Sequence, residues 1–112
     1  MAMLEDRAGR THEVPTLDAH GVLRFRGQLV VLAPVEWGVA RPLVEHFGSM
    51  VSSEALTRAG WPAGLPSDHS FRVGIARLRG RIAPLGLRLT VLRPGRGYLL
   101  SDATRASSTT YT

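Results

Sequence analysis

The 112-residue chain has no cysteine and no lysine. Without cysteine there can be no disulfide and no thiolate metal site, and nothing argues for secretion. A long apolar run is missing too: Met1 to Pro15 is mixed and charged, so it is neither a signal peptide nor a membrane span. These absences make a soluble cytoplasmic protein without a membrane partner the expectation. The lack of lysine leaves arginine as the strong cation, fourteen in all against nine acids, for a net charge of +5. From His69 to Ser101 there is no Asp or Glu, but there are seven arginines: Arg72, Arg77, Arg79, Arg81, Arg88, Arg93 and Arg96. A stretch of one sign attracts a polyanion and speeds encounter with it. A compositional preference for arginine explains the residue type but not the missing acids, so nucleic acid is the favoured class of partner.

Enzyme chemistry finds little support. His12, His20, His46 and His69 are scattered, and no pair has the spacing of a metal site; Asp18 with His20 comes nearest. Gly95-x-Gly97 is too short for a phosphate loop. The expectation is a protein that is not an enzyme and needs neither metal nor cofactor. Trp37, Phe47, Trp61 and Phe71 fall on the apolar sides of helical patterns, which favours core over a base-stacking platform and counts against single-stranded RNA.

The length suits one domain. Residues 1–14 read as a flexible leader, 15–102 as the folded domain and 103–112 as a flexible polar tail. Val22, Arg24 and Arg26 alternate with Leu23 and Phe25, the period of a half-buried strand. Gly27-Gln28 is the expected turn and Leu29 to Leu32 the returning strand. Pro34 and Glu36 suit the first turn of a helix, in which Trp37, Ala40, Val44 and Phe47 share a stripe widened by Val39 and Leu43. Pro42 predicts a kink, with Gly38 easing the strain. Ser52 caps a second helix reaching Ala59, and Asp68 is the favoured cap of a third. On that third helix Phe71, Ile75, Leu78 and Ile82 form one narrow stripe; opposite lie Arg72, Val73, Ala76, Arg77 and Gly80. Leu87 to Leu92 and Gly97 to Leu100 read as a hairpin turning at Pro94-Gly95. The fold class is therefore α+β: a winged helix-turn-helix with a small N-terminal antiparallel sheet, three helices and a C-terminal β-hairpin wing.

The stretch from Leu32 to Leu56 resembles the effector domain of OmpR/PhoB-type response regulators. Leu32, Pro34, Glu36, Gly48, Val51, Ser52, Glu54 and Leu56 fall in that family's register, and Trp61 matches its tryptophan after the second helix. Val73, Ile75, Arg77, Leu78 and Arg79 match its third helix, with Arg81 for a lysine, and Gly95-Arg96-Gly97-Tyr98 resembles its wing signature. The resemblance covers about residues 17–100. It implies a bacterial, nucleoid-associated, sequence-specific regulator that binds double-stranded DNA, with the third helix in the major groove and the wing in the minor groove. Arg77, Val73 and Ala76 would contact bases, while His69, Arg72, Arg79 and Arg81 would face phosphates. Arg93 or Arg96 would enter the minor groove. RNA polymerase, through the loop from Trp61 to Ser67, and a second copy on repeated half-sites are further implied partners.

The chain also departs from the family pattern. Ala33 replaces a Thr cap, Gly74 stands for a phosphate-contacting His, Ala76 for a polar residue and Pro94 for an Arg. Relatives carry a receiver domain before this one, whereas fewer than twenty residues precede the first strand here. A standalone regulator and an excised domain both fit. The rival reading is a winged helix used as a protein-interaction module, binding RNA polymerase or another regulator with weak or no contact to DNA.

Overall fold

The computed structural model describes residues 3–5, 11–93 and 96–103, with side chains from Glu13 onward except that of Arg93. Within the expected leader, β1 (Met3–Glu5) and β2 (Thr11–Glu13) pair antiparallel. The expected tail lies outside the described residues apart from Ala103.

β3 (Thr16–Leu17), β4 (Val22–Phe25) and β5 (Gln28–Val31) form an antiparallel sheet in that order. The alternation in β4 has its expected consequence, since Leu23 and Phe25 are buried while Arg24 is exposed. The β4–β5 turn sits one residue earlier than expected, on Arg26 and Gly27, and Gln28 already belongs to β5. Both turn residues have positive φ, 53° and 78°, as the tight hairpin turn with the twist of its strands requires. At the entry to β4, Asp18 Oδ1 accepts the N–H groups of His20 and Val22 at 2.9 and 3.0 Å. The Val22 bond above all, with help from His20 and Arg24, holds its carboxyl below the ordinary value of 3.8.

α1 (Pro34–Glu45) starts with Pro34 in its first turn, and Glu36 reaches back to accept the Ala33 N–H at 2.9 Å. That bond does part of the work of the missing Thr cap. α1 continues through Pro42 as one helix, and Gly38 has a reason beyond the proline. A Cβ on Gly38 would lie 2.5 Å from the Ala59 carbonyl oxygen, and one on Gly60 would lie 2.6 Å from Val39 Cγ2. The two glycines let α1 and α2 cross in contact. Val39 and Leu43 are the most buried residues of α1, with Trp37, Val44 and Phe47 along the borders of the stripe.

β6 (Met50–Ser52), which the sequence pattern did not signal, leads directly into α2 (Ser53–Gly60). Ser52 caps α2 as expected, its Oγ accepting the Ala55 N–H at 3.0 Å. α3 (Asp68–Ile82) is capped by Ser67 rather than Asp68: Ser67 Oγ accepts the Ser70 N–H at 3.1 Å. Ser67 still has extended backbone, whereas Asp68 is already the first helical residue, where its charge suits the helix dipole. A short 3-10 turn, Ala83–Leu85, leads to β7 (Leu87–Arg93) and β8 (Gly97–Asp102), in a sheet of order β6-β8-β7. The fold is an α+β winged helix. The helix-turn-helix is α2 and α3, and the wing is β7 and β8. Its core runs from Leu23 and Phe25 across Leu43 and Leu56 to Leu78 and Leu100.

Among the described residues, no helix is long and apolar enough to cross a membrane. An ion pair between Arg26, in the β4–β5 turn, and buried Asp102, at the end of β8, joins the N-terminal sheet to the wing's base.

Candidate nucleic-acid interface

α3 divides its residues cleanly. Ile75, Leu78 and Ile82 are almost fully buried, while Arg72, Ala76, Arg77 and Gly80 are exposed and Val73 is half-buried at the border. The seam follows from the helical period, since residues three and four apart share a face. His69 and Ser70, in the first turn, are exposed as well. The structure thus brings His69, Arg72, Val73, Ala76 and Arg77 together on one accessible surface.

Two grooves flank this ridge. The first, about 470 Å³, runs between α1 and α3 and is lined by Pro34, Glu36, Trp61, His69, Val73 and Arg77. The second, about 550 Å³, lies between α3 and the wing and is lined by Asp68, Phe71, Arg72, Arg79, Val91 and Tyr98. The acid-free stretch of sequence therefore does not give an acid-free surface. Folding brings Glu36 of α1 into one groove, and Asp68, the residue just before the stretch, lines the other.

Glu36 is nonetheless occupied. Its carboxylate, 5% exposed, is met by Arg81 Nε at 3.3 Å, and it also accepts the Ala33 N–H. The contact ties α3 to the start of α1. Arg79 is engaged as well, donating Nε and Nη2 to the Leu89 carbonyl of β7, each at 3.3 Å. All four residues expected at phosphates, His69, Arg72, Arg79 and Arg81, are exposed, and Arg79 and Arg81 also have partners inside the domain. The sequence signal for this was slight: both arginines flank the buried stripe instead of lying opposite it.

Gly74 is buried, and a Cβ there would lie 3.0 Å from the Trp61 ring. The ring occupies the space a histidine would need. Trp61 stacks obliquely on Phe71 at 5.8 Å, and Phe71 meets the edge of Tyr98 at 5.9 Å. This aromatic chain runs from the end of α2 through α3 to the wing, and it packs against the core. Trp61 and Phe71 are thus used internally rather than offered to bases.

In the wing, Arg96 precedes β8 and is exposed, while its carbonyl accepts the Ser53 N–H at 2.9 Å. That bond fixes the base of the turn against α2. Arg93 ends β7, but its side chain, with Pro94 and Gly95, lies outside the described residues. Arg88 is exposed farther down β7.

No protein-family model and no curated protein matches the chain. Solved structures do. The chain is similar to the C-terminal domain of the nisin resistance regulator NsrR, a lantibiotic response regulator, with a TM-score of 0.62 and 33% identity. That match covers 79% of this chain and 92% of the other. The DNA-binding domain of CpxR from E. coli gives a TM-score of 0.62 and 29% identity, over 92% of this chain and 99% of that one. The Klebsiella pneumoniae RstA DNA-binding domain, solved in complex with the RstA box, shares the fold with a TM-score of 0.59. It is 24% identical over 79% of this chain and 91% of its own.

Proposed function

The chain belongs to the OmpR/PhoB-type family of winged-helix effector domains, and on that premise we propose that it is a transcriptional regulator that binds double-stranded DNA sequence-specifically. The observation that carries this reading is the exposed ridge of α3, where Arg77 stands beside Val73 and Ala76 on the side away from the core. In the major groove Arg77 pairs bidentately with guanine, and the small apolar groups of Val73 and Ala76 meet thymine methyls. Gly80, exposed on the same side, leaves room for close approach of the helix. His69 and Arg72 lie at the phosphates that fix the register, and Arg96 enters the adjacent minor groove. The loop from Trp61 to Ser67, with Leu65 86% exposed, is the surface left for RNA polymerase.

Replacing Arg77 with Ala tests the reading. It should weaken specific binding by about 1–3 kcal/mol and relax preference at one base pair. Anisotropy titrations on duplex DNA across a range of salt should give a log–log slope of about −0.9 for each phosphate engaged. An unchanged affinity for Arg77→Ala, or a flat salt dependence, would instead support the protein-interaction module.

A further inference from the structure

Among the described residues β7 is the outer strand of the β6-β8-β7 sheet, so alternate backbone groups along it have no strand partner there. One of these outer positions is served from α3, where Arg79 directs both Nε and Nη2 to the carbonyl of Leu89. The Leu89 side chain is 3% exposed, so the tie holds β7 where the strand is already fixed in the core. Beyond that point the strand leaves the core, and the pairing with β8 becomes irregular between Val91 and Arg93. Such an irregularity strengthens local twist and redirects the strand. Farther along the wing, Phe71 of α3 meets the edge of the Tyr98 ring. Between these two contacts lies the groove of about 550 Å³. β8 is held on its other side by β6 and by the Ser53–Arg96 backbone bond, so Arg79 supplies the anchor on the β7 side.

We propose that Arg79 is a positioning residue that fixes the wing relative to α3, so that base reading by the helix and minor-groove entry by Arg96 act as one unit. The inference rests on the DNA-binding reading for its consequence but not for its structural half. A guanidinium suits the task because its planar fork presents two donors to a single carbonyl. A lysine keeps the charge and loses the fork. That difference separates positioning from a phosphate contact, for which charge alone suffices.

The first arm of the test uses the free domain. Amide hydrogen exchange is measured for the wild type, Arg79→Ala and Arg79→Lys. Both variants should exchange roughly tenfold faster along the wing strands while the helical core keeps its protection. Unchanged wing protection in both variants overturns the proposal, and so does an equal loss throughout the core. The second arm uses DNA. The effect of Arg79→Ala should be non-additive with that of Arg96→Ala, and Arg79→Lys should not restore binding. Additive effects and full rescue by Arg79→Lys would make Arg79 a phosphate contact instead. If the wild type shows no specific binding, the functional reading fails while the exchange arm still decides the role of Arg79.

Discussion

The same substitution, glycine to alanine inside a helix, should have opposite effects at Gly38 and Gly80. Alanine is better than glycine in a helix interior by about 0.8–1 kcal/mol, because it fixes less backbone freedom on folding. At Gly80 a Cβ meets nothing within 4 Å, so that gain is realised in full. At Gly38 the Cβ would lie 2.5 Å from the Ala59 carbonyl oxygen and 3.0 Å from the Gly60 Cα. Both are backbone atoms, so no rotamer change relieves the clash and α1 must move off α2. Overpacking of this kind costs about 1–3 kcal/mol, and a backbone clash lies at the upper end. Less the propensity gain, Gly38→Ala should lose about 2 kcal/mol. For a domain of this size each kcal/mol moves the melting temperature by about 4–8 °C. Thermal melts followed by circular dichroism should therefore show Gly80→Ala about 5 °C higher and Gly38→Ala about 10 °C lower than the wild type. A Gly38→Ala variant as stable as the wild type would refute the close α1–α2 crossing, and a destabilised Gly80→Ala would refute the open site at Gly80.

Further tests concern the caps and the acidic corner. Ser67→Ala should destabilise by about 1 kcal/mol in a denaturant titration, and Asp68→Ala by less; the reverse order would return the cap to Asp68. Asp18 has its carboxyl pKa lowered by the Val22 N–H foremost. Its contribution to stability is thus complete above the unfolded value of 3.8 and is lost as pH falls through the lower folded value. Asp18→Asn should therefore flatten the acid limb of a stability–pH curve, and an identical limb in both proteins would show that the corner is not the source.

Much of the architecture was legible because it is local. The stripe of Ile75, Leu78 and Ile82, the Ser52 cap and the alternation around Leu23 and Phe25 each need only a few neighbouring residues to be read. What escaped depends on distant partners. β6 is a three-residue strand that exists because Val51 pairs with Tyr98, far along the chain. Gly38 read as relief for Pro42, while its closest neighbour in space is α2. The α3 cap moved by one residue because Ser67 and Asp68 are both good caps and only backbone geometry separates them. At the interface, the ridge of Arg72, Val73, Ala76 and Arg77 followed from the helical wheel. The ties of Arg79 to Leu89 and of Arg81 to Glu36 did not, since nothing near either arginine in sequence names its partner.

Selection of bound sequences from a pool of random duplexes asks whether the domain recognises duplex DNA by sequence. An enriched motif is expected, with a guanine lost from the consensus when Arg77→Ala replaces the wild type. Binding to the enriched duplex should be tighter than to a scrambled one by at least about a thousandfold. A pool that remains random after repeated rounds would contradict sequence-specific recognition.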